Sequence, residues 1–376
     1  MKQTIIVMFG GESAEHEVSV VTGLQALEQF DRERYEPIAA YVDKRGIPFL
    51  LPKLEQRKQF RTGTREAVTF GRDEKGGFLR TAGALGKKIY PYAAYLCFHG
   101  GSGESGPIEG LLESLAIAHT GPSQESAVIT MNKAIAKAAA KEAGIAVVPG
   151  ETVFSHAITL NSERSAKDLV SKIGLPAIVK PAHLGSSIGI AVAKSEIELE
   201  KALLEAAHMD TEMVIETFLP AITEYNCAVR HRDGKIETSE IERPLSKDEI
   251  LSFADKYQRG GKKTGAGMAS LSRELPAKID PDFKKQIHDA ARRAYHACRC
   301  TGMVRIDFMH SGEKLYLTEI NPIPGSMAYY LWEASGIPFR QQITDAIEEA
   351  VCAQQEAISR RLDYSTDIIE KFVSDN

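Results

Sequence analysis

Apolar and polar positions in the first third of the chain alternate between two periods. Residues 5–9 form a short apolar run, then Val18, Val21, Leu24 and Leu27 recur at helical spacing, and further apolar runs follow at Tyr35–Val42 and at 93–98. Strand and helix in alternation predict a parallel sheet with helices on both faces, whose ligands bind beyond the carboxyl ends of the strands. The loops opening at Gly10 and at His99 therefore become candidate binding loops. A composition shift follows Gly121-Pro122. Beyond it the pattern predicts an alanine- and lysine-rich helix at 134–143, a strand at 177–180, a helix at 197–207 and a strand at 213–216. The last part carries strands at 226–230 and 304–309 and helices at Pro281–Ala297 and near 340–360. Between 256 and 272 lies a glycine-, lysine- and serine-rich stretch without its own apolar pattern, the composition of a lid or a disordered loop.

Length and composition sharpen this into a multidomain globular protein. A chain of 376 residues exceeds one ordinary core, and 43% hydrophobic with 26% charged residues is globular usage. The formal net charge of −5 comes from interspersed acids and bases. No basic stripe predicts a nucleic-acid partner, and no apolar run is long enough to span a bilayer. The five cysteines are scattered, and Cys298-Arg299-Cys300 lacks the spacer of a metal or redox pair. Reduced thiols in a cytoplasmic protein are the expectation.

Candidate chemistry falls in three places. In Lys180-Pro181-Ala182-His183-Leu184-Gly185-Ser186-Ser187-Ile188-Gly189 a strand ends in lysine and passes into a loop rich in backbone N–H groups and hydroxyls. Such a loop is either a plain Gly-Ser turn or a wrap for phosphate oxygens. Its lysine precedes the glycines, unlike a P-loop. In the second place, Arg305-Ile306-Asp307-Phe308 and Glu319-Ile320-Asn321-Pro322 flank the turn His310-Ser311-Gly312-Glu313 and predict an antiparallel hairpin. By the two-residue period Arg305 and Asp307 share one face and Glu319 and Asn321 another, so the hairpin gathers an oxygen-only donor set of the kind Mg²⁺ prefers. The apolar flanks Val304, Ile306, Leu315, Leu317 and Ile320 argue for a buried sheet, where bare carboxylates are costly. Third, Glu216 closes a strand whose edge could pair with an adenine, and Glu224 follows within reach of a ribose; surface glutamates are the plain alternative.

Lys133, the Lys180 loop, Glu216 and the Asp307/Glu319/Asn321 set stand in an order that resembles the ATP-grasp superfamily. Gly10-Gly11-Glu12-Ser13-Ala14-Glu15-His16-Glu17-Val18-Ser19 and Phe98-His99-Gly100-Gly101-Ser102-Gly103-Glu104-Ser105-Gly106 are similar to the two N-terminal signatures of D-alanine–D-alanine ligases. The resemblance implies an α/β and α+β architecture. An N-terminal parallel-sheet domain at 1–121 precedes two ATP-grasp α+β subdomains at 122–219 and 220–376, the last with a lid at about 252–276. It further implies ATP-dependent joining of two D-alanines through an acyl phosphate for peptidoglycan precursors, with ATP, two Mg²⁺ ions (or Mn²⁺) and a cytoplasmic homodimer.

Residue by residue, the resemblance gives Glu15 to the first ammonium group, with Val18, His99 and Ser186 lining the same pocket. Lys133 and Lys180 would contact phosphates; Glu216, Leu219 and Glu224 would hold adenine and ribose, and Met309 would pack on the base. Asp307, Glu319 and Asn321 would ligate the metal. Arg305 and the backbone N–H of Gly325 would meet the oxyanion, and Ser326 and Met327 the second carboxylate. Lys256 and Tyr257 would close over the γ-phosphate and the first substrate.

The chain departs from the family pattern near the second substrate. Pro322 replaces the usual threonine in Asn321-Pro322-Ile323-Pro324-Gly325, Ser326 follows that glycine directly, and the lid is long. Ser105 and Asn132 stand where aspartates are usual. A sister carboxylate–amine ligase with another amino-acid pair is therefore the alternative. A nucleotide-binding regulator on a decayed scaffold is disfavoured by the intact Lys133, Lys180, Arg305, Asp307, Glu319 and Asn321. A Ser186/Lys180 hydrolase leaves the metal set unexplained.

Overall fold

The computed structural model describes residues 2–52, 54, 57–83, 86–245, 272–360 and 366–374. The expected lid residues Lys256 and Tyr257 lie outside the described residues.

The first sheet contains β1 (Gln3–Gly10), β2 (Tyr35–Val42), β3 (Pro48–Leu51), β4 (Glu66–Asp73), β5 (Gly76–Thr81), β6 (Lys88–Ile89) and β7 (Ala93–Leu96), in the order β6-β5-β4-β3-β2-β1-β7. Only β2, β1 and β7 run parallel, with Ile5 opposite both Pro37 and Ala93. The expectation of a parallel sheet is thus corrected to a mixed one. From β2 to β6 each strand returns antiparallel to its predecessor. Glu74 and Lys75 alone join β4 to β5, and so short a link cannot make the crossover a parallel pair needs. The parallel centre is buried, with residues 5–10 all inaccessible or nearly so, as its continuous apolar run requires.

Helix α1 (His16–Gln29) packs on β1, but not by the face its large side chains suggested. Val21 is exposed, whereas Ser19, Val20, Thr22, Gly23, Ala26 and Leu27 are buried. Small residues face the sheet because helix and strand approach closely: a Cβ on Gly23 would lie 2.4 Å from Cδ1 of Phe9. Helix α2 (Pro107–Ser114) completes this unit.

The central unit comprises α3 (Gln124–Met131), α4 (Lys133–Glu142), β8 (Gly150–Phe154), α5 (Ser155–Leu160), α6 (Ser162–Ile173), β9 (Ala177–Pro181), β10 (Ala191–Ala193), α7 (Glu196–Ala207) and β11 (Glu212–Thr217). Its four strands form the antiparallel sheet β10-β9-β11-β8. The third unit contains β12 (Thr223–Arg232), β13 (Lys235–Pro244), β14 (Arg273–Glu274), α8 (Pro281–Ala297), β15 (Met303–Ser311), β16 (Lys314–Asn321), α9 (Tyr329–Ala334), α10 (Phe339–Ser359) and α11 (Ile368–Ser374). Its sheet order is β14-β13-β12-β15-β16.

Three cores hold the molecule together. Ile158, Leu169, Val179, Leu199 and Ile215 fill the central one, and Ala136, Ala140, Val304, Phe308 and Leu317 belong to the last, so α4 packs on the C-terminal sheet. The first core joins the N-terminal sheet to Ile323, Met327, Leu331, Trp332, Ile343 and Ile347. Residues from the far end of the chain therefore complete the first domain. Among the described residues no helix is long and apolar enough to cross a membrane.

Substituting Gly23→Ala is expected to destabilise the fold by ~1–3 kcal/mol, because Phe9 is enclosed and cannot withdraw. Urea denaturation of the variant against the parent measures this; an unchanged midpoint would show that α1 can lift from β1 at no cost.

Candidate active site

Two glycine-rich loops at the carboxyl ends of β1 and β7 build one wall. Gly10 turns at φ +98°, where an added Cβ would lie 2.1 Å from the Val42 carbonyl oxygen. Its N–H donates to Ser19 Oγ (2.8 Å), and that hydroxyl donates to the Cys97 carbonyl (2.8 Å), fixing β1, α1 and β7 together. Ser13 ties the two loops directly. Its hydroxyl donates to the His99 carbonyl (2.7 Å) and accepts from the Glu15 N–H (3.0 Å).

Glu15 then meets the glycine-rich loop that follows β9. The Ser186 hydroxyl donates to Glu15 Oε1. Gly185 permits the approach, since a Cβ there would lie 2.8 Å from Glu15 Oε2. Ser186 and Ser187 sit in the left-handed region, at φ 51° and 60°. Lys133, the first residue of α4, donates from Nζ to the Leu184 carbonyl (2.6 Å) and lies 3.8 Å from Glu319.

The floor is the hairpin β15–β16. Across it Arg305 opposes Asn321 and Asp307 opposes Glu319, the pairing expected from the two-residue period. Arg305 is 6% exposed and forms a bidentate pair with Asp307, Nε to Oδ1 at 2.7 Å and Nη2 to Oδ2 at 2.6 Å. The Asn321 amide donates to Asp307 Oδ2 (3.1 Å). Two carboxylates and a carboxamide thus converge on one row, an oxygen-only set that fits a hard divalent cation.

One cavity is lined by Glu15, His99, Lys133, Ser186, Arg305, Glu319, Asn321 and Gly325, so eight of the expected residues come together. Val18, Lys180, Glu216, Leu219, Glu224, Met309, Ser326, Met327 and Asp307 are not in its lining. Asp307 supports it through Arg305. Lys180 and Glu216 lie behind the glycine-rich loop as a buried pair, Nζ to Oε2 at 2.5 Å. Met309 stands directly opposite Glu224 across β12 and β15, while Leu219 is half-buried after β11. The turn after Gly325 differs from expectation. Ser326, Met327 and Ala328 are all left-handed, and the Met327 side chain packs into the first core, 3% exposed. A side chain committed to that core leaves only its backbone for the pocket.

Sequence reasoning missed two groups. Lys137, one turn beyond Lys133, forms a second ion pair with Glu216. Burial pushes the Glu216 carboxyl up, but Lys180 and Lys137 more than offset it and hold it at about 2. Two lysines at i and i+4 on an alanine-rich helix were the available signal. Glu104 is the other. It is 5% exposed and accepts from the Gly100 N–H (2.6 Å) and the Ile323 N–H (3.2 Å). Burial, then the charge of Glu15, push its carboxyl up to about 8. Nearby His99 bonds to Thr22 Oγ1 (2.9 Å), and burial together with the Arg305 cation pushes it down to about 4. Near neutral pH the wall therefore carries a neutral imidazole and a protonated Glu104.

A folded carboxyl at about 8 against an ordinary value of 4.5 binds more protons folded than unfolded in that window, so stability falls as pH rises through it. Glu104→Gln is expected to keep the fold and flatten that fall. Urea midpoints taken from pH 5 to 9 test it; a slope identical to the parent's would show that Glu104 is ionised when folded.

Comparison with known proteins matches this architecture along nearly the whole chain. The family models described as D-ala D-ala ligase N-terminus and C-terminus match residues 4–122 and 139–348. The D-alanine–D-alanine ligase of Thermosipho melanesiensis is 34% identical over 345 residues, 91% of either chain. That of Chlorobium luteolum is 32% identical over 360 residues, 92% of this chain and 95% of its own. Among solved structures, the D-alanine–D-alanine ligase of Coxiella burnetii superposes with a TM-score of 0.80 at 25% identity, covering 95% of this chain and 96% of its own. The Helicobacter pylori ligase gives 0.71 at 27%, covering 92% and 98%. With both signature loops, the cavity and the hairpin row in place, the chain belongs to the D-alanine–D-alanine ligase family.

Proposed function

We propose that the protein joins two D-alanines at the expense of ATP, forming D-alanyl-D-alanine through an acyl phosphate for peptidoglycan precursor synthesis in the cytoplasm, as a homodimer. The observation that carries this reading is the single cavity in which Glu15, Ser186 and His99 face Arg305, Glu319, Asn321 and Gly325. An ammonium anchor, an oxyanion donor and a phosphate-side acidic pair share one space.

A carboxylate does not condense with an amine in water, so it must first be activated. The first D-alanine, its ammonium group against Glu15, attacks the γ-phosphorus of ATP with its carboxylate oxygen, and ADP leaves. Lys133 and Lys180 offset charge on the phosphates. The buried Glu216 carboxylate is already occupied by Lys180 and Lys137. Its contribution to adenine binding would then come from the β11 backbone, with Leu219, Glu224 and Met309 holding ribose and base. Asp307, Glu319 and Asn321 would hold two Mg²⁺ ions, or Mn²⁺, which supply further charge neutralisation when bound. The amine of the second D-alanine then attacks the acyl carbon and phosphate leaves. Arg305 and the Gly325 N–H would meet the oxyanion that develops, and the Ser326–Met327 backbone the second carboxylate. Lys256 and Tyr257 would shield the acyl phosphate from water.

One observation favours a second reading, a sister ligase with a different second amino acid. Ser326 follows Gly325 directly and the turn runs left-handed for three residues, at the place assigned to the second substrate.

Purified protein with ATP, Mg²⁺ and a panel of D- and L-amino acids is expected to release ADP fastest with D-alanine. A mixed dipeptide as main product would favour the second reading, and no stimulation by any D-amino acid would exclude both. In the same assay, Arg305→Met should lower kcat by ~10²–10³-fold, the scale for losing one oxyanion donor, with little change in KM for ATP. A variant turning over at the parental rate would remove Arg305 from the chemistry.

A further inference from the structure

The polar row on the C-terminal sheet does not stop at the expected metal set. Asp307 is opposed on one side by Glu319 and on the other by Asn226, and Asn226 is opposed in turn by Glu242. Four strands thus present Glu319, Asp307, Asn226 and Glu242 in one line. At its far end Glu242, 2% exposed, accepts three hydrogen bonds. Asn226 Nδ2 and the Tyr330 hydroxyl donate to Oε1, both at 2.9 Å, and Arg273 Nη1 donates to Oε2 at 2.7 Å. The Arg273 guanidinium also lies 4.0 Å from the centroid of the Tyr330 ring. Tyr330 stands two residues beyond Ala328, at the exit of the left-handed turn.

The row therefore has a direction. Its Glu319 end lies beside Lys133, the end proposed for the phosphates. Arg305 marks the middle, where the acyl carbon would sit. An amine entering a carbonyl from which phosphate must leave approaches from the other side, which is the end built by Glu242, Tyr330 and Arg273. A well-packed apolar cluster would hold this corner as firmly as a buried ion pair, so stability alone does not account for its polarity. The guanidinium is neutralised within the wall. An acceptor bearing a side-chain carboxylate finds no uncompensated cation there, and a cationic one meets Arg273 itself.

We propose that Glu242, Tyr330 and Arg273 form the end wall of the acceptor half-site and select a small amino acid without a charged side chain, Glu242 keeping Arg273 from pairing with an acidic acceptor. This rests on the ligase reading above. The test uses the full-length enzyme with ATP, Mg²⁺ and D-alanine as donor, and compares D-alanine, D-serine, D-aspartate and D-lysine as acceptors by separating the dipeptides formed. The parent should favour D-alanine or D-serine and form negligible product with either charged acceptor. Glu242→Gln should raise the D-aspartate to D-alanine product ratio by roughly tenfold or more, the worth of one charge-assisted contact. The double variant Glu242→Gln/Arg273→Gln should lose that gain, and KM for ATP should stay at its parental value in both. If Glu242→Gln does not fold, Arg273→Gln alone decides: it should raise KM for acceptor D-alanine and leave that for ATP unchanged. An unaltered acceptor ratio, or acceptor and ATP constants moving together, overturns the inference while leaving the ligase reading intact. A parent that releases no ADP with D-alanine overturns the ligase reading as well.

Discussion

The Arg305 guanidinium, enclosed at the floor of the cavity, sets terms that the surrounding residues meet. A buried cation without a partner is strongly unfavourable, and one whose partner is removed costs several kcal/mol. Asp307 answers it with two parallel hydrogen bonds from the same strand, and Asn321 completes the carboxylate from the neighbouring strand. The pair needs β15 and β16 in one register, because a slip of one residue would turn Arg305 and Asp307 to the opposite face. The charge also acts on the opposite wall. His99 stays neutral in part because Arg305 is near. The functional row and the sheet register are thus one constraint.

A second constraint is that the cavity belongs to no single domain. Glu15 and His99 come from the first sheet, Ser186 and Lys133 from the central unit, and Arg305, Glu319 and Gly325 from the third. Few contacts join them: Ser186 to Glu15, Ser13 to His99, Lys133 to Leu184. Each of the first and last involves a loop held in shape by its own backbone, so local geometry at Gly10, Gly185 and Ser186 passes directly into the spacing of the site. The first core extends this coupling, since residues 323–347 pack on the N-terminal sheet and carry the Gly325 turn with them.

Much of this was legible in sequence because it follows from short periods. The two-residue period put Arg305 with Asp307 and Glu319 with Asn321, and the structure pairs them so. Helix Pro281–Ala297 was readable from its amphipathic repeat and its Asp280 cap. Other features depend on what meets what at long range, which periodicity does not encode. The β3–β6 meander has the same short apolar runs a parallel sheet would have. The inward face of α1 is made of small residues because Phe9 lies close beneath Gly23. Glu216 read as a surface acid until Lys137 and Lys180, far away in sequence, were seen to enclose it. Met327 looked like a pocket residue because nothing local shows that the N-terminal core needs it.

The left-handed turn connects these levels. Non-glycine residues in that conformation cost on the order of 1–2 kcal/mol each, and Ser326, Met327 and Ala328 occupy it in succession. Compensation comes from elsewhere: Met327 and Ala328 are buried in the first core, and the Ser326 N–H donates to Thr22 Oγ1, which also holds His99. A looser turn with more residues could relax by itself. A short turn held by another domain's core cannot, so the backbone that follows Gly325 is fixed relative to α1 and His99. Beyond it the chain enters α9, where Tyr330 is clasped by Glu242 and Arg273. The turn is therefore anchored at both ends by buried groups, one apolar and one ionic. The departures from the family pattern and the rigidity of this corner of the site have the same physical origin.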